Sequence, residues 1–347
     1  MLLPKGLQIY HHLQGVRLES GVTLPAVQIA YHTFGQLHAT QDNVVWVFHA
    51  LTAHSDPTEW WKGVVGSGAP IDPEKHFIVC ANVLGSYYGT TNPRTENPQS
   101  REPYGLDFPK FTVRDVVTLH HLLREHLGIE QVQLAIGGSF GGHQALEFAL
   151  AAPRRVQSLF LLATSARETA WSIAIHQAQR MAIETDPTWQ ENSSQAGLQG
   201  LKTARGIGLL SYRTIQSYID QQTDDHHKVD DFKAASYVLY QGEKLGKRFH
   251  AQCYWYLTKC LDSHHVGRGR GSIEAALQQL TIPCTIIGID TDMLIPPTEQ
   301  IFLAQHLPKG QYHEIPSKFG HDGFLIEIEA INEVLKQHLE QLETYYK

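Results

Sequence analysis

Residues 137–141 read Gly-Gly-Ser-Phe-Gly, set between the apolar run Val132-Gln-Leu-Ala-Ile136 and the stretch His143-Gln-Ala-Leu-Glu-Phe-Ala-Leu150. A serine on a tight turn from strand to helix must take strained backbone angles, and Gly137 and Gly141 leave space where side chains would clash. Such a turn pushes Ser139 Oγ outward, which suits a nucleophile in acyl transfer. The start of the following helix would supply amide donors to an oxyanion. A serine nucleophile needs a base to take its proton and a carboxylate to hold that base in the right tautomer. For a serine on this kind of turn, the acid and then the histidine follow in chain order. His321 lies in the glycine-flanked stretch Lys318-Phe-Gly-His-Asp-Gly-Phe324, where a loop after the last strand would deliver the base. The stretch Gly288-Ile-Asp-Thr-Asp-Met-Leu294 offers Asp290 and Asp292 as acids. Asp292 is favoured because it reaches further past the strand end, and Asp290 could brace the loop. The oxyanion donors would be the backbone amides of Leu51, in His49-Ala-Leu-Thr-Ala53, and of Phe140.

The elements that must hold these residues follow from the apolar pattern. Val44–Phe48, Phe77–Cys80, Val156–Leu162 and Cys284–Ile289 are short apolar runs of the kind found in buried parallel strands, with a further strand at Tyr312–Ile315. Thr112 to Leu127 has helical apolar spacing and ends at Gly128. An amphipathic helix is predicted from about Phe324 to Leu342. Repeated strand–helix units imply an α/β fold with a doubly wound, mostly parallel sheet. From about Ala166 to Leu277 the strand signal disappears and the period becomes helical. The reading is a core formed by 1–165 and 278–347, with 166–277 inserted as a helical lid.

Composition narrows the function classes. The net charge is −7 and no Lys/Arg run could follow a phosphate backbone, so nucleic-acid binding is not expected. No apolar stretch approaches a bilayer span, and residues 1–15 lack the apolar segment of a secretory signal. Cys80, Cys253, Cys260 and Cys284 are scattered and read as buried, reduced thiols of a cytoplasmic protein. The 21 histidines show no metal-ligand spacing, so no metal site is expected and most are read as surface residues.

Beyond the serine turn, the chain resembles the homoserine O-acetyltransferase family of α/β-hydrolase-fold acyltransferases from about residue 27 onward. The resemblance rests on His49-Ala-Leu-Thr, Trp60-Trp61, Asn82-Val-Leu-Gly85 with Gly89-Thr-Thr91, and Tyr104-Gly-Leu-Asp-Phe-Pro109. It continues in Gly137-Gly-Ser-Phe-Gly-Gly142 with Gln144-Ala-Leu-Glu147, in Ala204-Arg205 with Ser211-Tyr-Arg213, and in Gly320-His-Asp322. It implies an α/β-hydrolase fold, a triad of Ser139, Asp292 and His321, and substrate-binding roles for Arg205 and Asp322. It also implies ping-pong acyl transfer in methionine biosynthesis, with acetyl-CoA as co-substrate, homoserine as acceptor, no bound cofactor, and a homodimer formed through the lid. The chain departs from the family at Ala53, Asn92, His250 and Gln252, and it is shortened at Glu191–Gln199. A succinyl donor, a serine acceptor, or an esterase on the same fold therefore stays open.

Overall fold

The computed structural model describes residues 5–345. Ten strands are present among them: β1 (Gln8–His12), β2 (Val16–Arg17), β3 (Thr23–Leu24), β4 (Val27–Phe34), β5 (Val44–Phe48), β6 (Phe77–Ala81), β7 (Leu134–Gly138), β8 (Leu159–Leu162), β9 (Cys284–Ile289) and β10 (Gly310–Ile315). Eight of these make one sheet in the order β1-β4-β6-β5-β7-β8-β9-β10. The pairs from β6 onward are parallel, and β4 joins β6 antiparallel, with β1 antiparallel on its outer side. The sequence pattern had not separated this N-terminal antiparallel edge.

Helices α1 (Pro57–Trp60), α2 (Val113–His126) and α3 (Phe140–Ala151) lie between the earlier strands. Between β8 and β9 come α4 (Ala170–Glu184), α5 (Leu198–Tyr212), α6 (Ile215–Gln222), α7 (Lys233–Gly246), α8 (Ala251–Asp262) and α9 (Ile273–Leu277). After β9 follow α10 (Pro297–His306), α11 (Gly323–Ile326) and α12 (Ile328–Tyr345). The helix expected from Phe324 is therefore two helices. The break falls at Glu327, whose carboxylate accepts from Ser317 Oγ at 2.7 Å while its amide reaches back to Gly323.

Strand alternation splits the core in two. Trp46 and Phe48 of β5 pack with α2 and α3 on one face, and Val45 and Val47 pack with Trp61 and α12 on the other. A strand with both faces covered this way reads as a continuous apolar run, which is what Val44–Phe48 is. α2 begins with a capping box in which Thr112 and Asp115 satisfy each other's end groups. The parallel strands all point the same way, so the loops after β5, β7, β8, β9 and β10 gather along one edge. That edge carries the site.

Candidate active site

Ser139 links β7 to α3 with φ 54° and ψ −126°, a conformation that a residue with a side chain holds only when its surroundings enforce it. They do so here. The Ser139 amide donates to Leu162 O at 2.9 Å, and its carbonyl accepts from the Gly142 amide at 2.9 Å and from Thr164 Oγ1 at 3.1 Å. A Cβ at position 141 would sit 2.1 Å from the Phe48 carbonyl oxygen, and one at 137 would sit 2.4 Å from the Gly141 backbone. Both glycines are thus demanded by close approach of main chain to main chain.

Ser139 Oγ lies 2.8 Å from His321 Nε2, and His321 Nδ1 lies 2.6 Å from Asp292 Oδ2. A carboxylate only accepts, so Nδ1 carries the proton and Nε2 of the neutral ring can receive the serine hydroxyl. The other oxygen of Asp292 accepts from the amides of Leu294 at 2.8 Å and Ile295 at 3.0 Å. Asp292 and His321 are both buried. Asp290 is exposed, and its Oδ1 accepts from the Ser317 amide at 2.8 Å, so it ties the β9 and β10 loops together. Burial by itself pulls the His321 pKa down. The charge and hydrogen bond of Asp292 outweigh that, with Asp322 and Glu168 adding to the pull, and hold it above the ordinary histidine value.

Leu51 follows β5 and Phe140 opens α3. Among the described residues no acceptor takes either amide. The loop carrying Leu51 is held by a chain of side chains that the sequence did not single out. Gln144 Nε2 donates to His49 O and to Phe140 O, both at 3.1 Å, and so ties the two flanks together. Its Oε1 accepts from His120 Nε2 at 3.2 Å, while His120 Nδ1 accepts from the Trp46 indole at 3.2 Å. His49 accepts the Val83 amide at Nε2 and donates from Nδ1 to Ala50 O. Burial lowers His49 to about 4 and His120 to about 3, so both rings are neutral and each nitrogen has a fixed role.

A cavity of about 310 Å³ opens over Ser139. Arg205 and Tyr212 from α5 line it, with Asp322 beside the histidine. The Arg205 guanidinium sits 5.6 Å from the Tyr212 ring centroid and has no carboxylate partner among the described residues. Asp322 is committed differently: its Oδ2 accepts from Arg213 Nε at 2.6 Å. The sequence held Arg213 only as part of a motif, and its adjacency to Tyr212 at the end of α5 was the available signal.

The histidines correct an expectation. Six of the 21 are exposed, and nine are buried, among them His143 and His176 on the wall of this cavity. Each buried ring is paired with a backbone or side-chain group, which is how a titratable group is tolerated inside. All four cysteines are free and buried.

Comparison with known proteins identifies the family. The family of the alpha/beta hydrolase fold matches residues 43–327. A homoserine O-acetyltransferase of Cyclobacterium marinum is 45% identical over 329 residues, covering 95% of this chain and 94% of that protein. Another from Nostoc punctiforme is 42% identical over 341 residues, covering 96% of each. The chain belongs to the homoserine O-acetyltransferase family. It is an acyltransferase, and its eight-stranded sheet with flanking helices is that of an α/β hydrolase. Among solved structures, the homoserine O-acetyltransferase of Bacillus anthracis superposes with a TM-score of 0.87 at 23% identity, covering 97% of this chain and 98% of that one. Esterase E22 also reaches 0.87, at 21% identity, covering 95% and 98%. At such identities the likeness speaks for the fold alone. The same fold thus carries both a transferase and an esterase, and fold alone does not separate the two chemistries.

Proposed function

We propose that the enzyme transfers an acetyl group from acetyl-CoA to the hydroxyl of L-homoserine through an acetyl-Ser139 intermediate, as a step of methionine biosynthesis. Ser139 Oγ attacks the thioester carbonyl while His321 Nε2 takes its proton, and Asp292 holds the ring and balances the imidazolium. The Leu51 and Phe140 amides receive the oxyanion. The thiol of CoA leaves with the proton from His321. Homoserine then enters, His321 Nε2 takes the proton of its hydroxyl as that oxygen attacks the acetyl ester, and the same proton passes from His321 to Ser139 Oγ as the ester bond breaks.

The observation that carries this reading is Arg205, a cation with no carboxylate partner among the described residues, on the wall of a cavity above a serine–histidine–aspartate chain. An amino-acid acceptor brings a carboxylate that a guanidinium can hold, whereas water needs no such anchor. Asp322 is the proposed acidic partner for substrate. With Oδ2 on Arg213 it has one oxygen left, so an ammonium needs further acceptors. The reading includes a homodimer through the inserted helices, supported by exposed apolar side chains such as Leu210, Ile215, Ile219, Leu239 and Tyr240.

The test is intact-mass spectrometry after mixing with acetyl-CoA, then with homoserine. One acetyl group is expected on Ser139, discharged far faster by homoserine than by buffer. Full turnover in Ser139→Ala, or discharge by buffer at the homoserine rate, refutes the proposal.

A further inference from the structure

The wall of the cavity changes character from its buried to its exposed side. His143 and Glu168 on that wall are buried and Ser139 is half-buried, whereas Arg248, in the link between α7 and α8, is exposed. A volume of about 310 Å³ is at the small end for a ligand site. It has room for an acyl group, the sulfur end of a thioester and a small acceptor, but not for a nucleotide as well. The phosphates of a coenzyme thioester are charged and need water or a cation around them, so their place is the mouth.

Arg248 is the cation there, and its guanidinium is half used. Nη1 donates to Thr52 O at 2.5 Å and to the Tyr88 hydroxyl, and Nη2 reaches Thr52 Oγ1 at 3.4 Å. A guanidinium has five N–H donors. Among the described residues no acceptor takes the Nε–H or the second Nη2–H, and these two form a fork on one side of the plane. Arg248 also has no carboxylate partner among the described residues. The acids of that rim are engaged elsewhere: Asp56 Oδ1 accepts from the Thr58 amide and hydroxyl, and Glu59 Oε2 lies 3.3 Å from His54 Nε2. Arg94 adds a second cation on this side. It is held by Asn192 and by Gln252 of α8, and its charge is felt by His250, close along the chain to Arg248.

We propose that the free Nε–Nη2 fork of Arg248 binds a phosphate of the coenzyme, and so makes the enzyme select acetyl-CoA over a thioester without phosphates. A planar fork matches two phosphate oxygens. The bonds to Thr52 fix the guanidinium before the substrate arrives, and they join the phosphate site to the loop that carries the Leu51 amide.

This inference rests on the acetyl-CoA donor proposed above. Its test follows acetylation of Ser139 at subsaturating thioester, by rapid quench and intact-mass spectrometry. The two donors are acetyl-CoA and S-acetylpantetheine, which keeps the thioester and its arm but has no phosphate. The unaltered protein should react much faster with acetyl-CoA. Arg248→Gln keeps an N–H for Thr52 O and removes the charge. In it the ratio of the acetyl-CoA to the acetylpantetheine rate should fall by at least about fivefold, with the loss in the acetyl-CoA arm. A smaller fall overturns the assignment. Equal slowing of both arms would make Arg248 a strap for the Thr52 loop, and a loss confined to discharge by homoserine would place it in the acceptor site. Equal rates for the two donors in the unaltered protein overturn it as well, and leave acetyl transfer standing. Should Arg248→Gln not fold, Arg248→Lys serves, since it keeps a cation and loses the fork. Its ratio should fall by at least about threefold, and an unchanged ratio overturns the assignment. If neither donor acetylates the unaltered protein, the failure belongs to the proposed function and not to the phosphate site.

Discussion

Asp292 accepts from His321 Nδ1 at 2.6 Å, while Asp290, on the same loop, turns its carboxylate to the Ser317 amide. The two acids therefore have separable effects. Asn at 292 keeps the shape but favours the wrong imidazole tautomer, so turnover should drop roughly 10⁴-fold. Asn at 290 should leave turnover within a few-fold and cost about 1 kcal/mol of stability for one weakened, partly buried hydrogen bond. Steady-state kinetics paired with denaturant unfolding of both variants decides the matter, and equal mild effects on turnover would misplace the acid.

The proton balance of His321 sets the pH profile. The base acts in its neutral form, and Asp292 holds its pKa above the ordinary histidine value against the opposing effect of burial. Activity should therefore fall on the acid side, with a midpoint above about 6.5, the usual value for a histidine. The limb belongs to kcat/KM for the free enzyme. A midpoint below that value would mean that burial dominates and that Asp292 contributes little charge.

Some of this was legible in the chain and some was not. The serine turn could be read because glycine, serine and glycine were flanked by a strand run and a helix run, and His321 could be chosen by its position after the last strand. The central parallel strands showed as apolar runs because both faces are covered. β4 did not, since Val27–Phe34 carries Gln28, His32 and Thr33 among its apolar residues. The buried histidines defeated sequence reasoning for a physical reason. Whether an imidazole is solvated or locked inside depends on partners such as Ser165, Gln144 and Asp262, which tertiary structure alone brings near. The Arg213–Asp322 pair spans more than 100 residues and has no local signature either.

Gln144 provides a test of how the oxyanion loop is held. It joins His49 O to Phe140 O, and its Oε1 accepts a hydrogen bond from Nε2 of a neutral, buried His120. Gln144→Ala removes those ties and leaves the His120 N–H without an acceptor, at a cost of about 1–3 kcal/mol. The loss of alignment at Leu51 should lower kcat by roughly tenfold to a hundredfold, below the 10² to 10³ expected for deleting an oxyanion donor itself. KM for both substrates should change little. A variant that loses stability but keeps its kcat would show that the loop holds its position without Gln144.

Arg205 separates the two halves of the reaction. The first half contains acetyl-CoA and no amino acid, so acylation of Ser139 in Arg205→Ala should proceed at nearly its normal rate. The second half loses a charge-assisted pair with the acceptor carboxylate, worth roughly 1.5–3 kcal/mol, or about tenfold to a hundredfold in discharge by homoserine. Hydrolysis of the acetyl-enzyme by water should barely change, because water presents no carboxylate. Rapid-quench kinetics with the half-reactions resolved makes the distinction. If acylation and discharge fall together, Arg205 serves the thioester substrate or only packs over the Tyr212 ring within α5, and the acceptor's carboxylate must be held elsewhere on the wall.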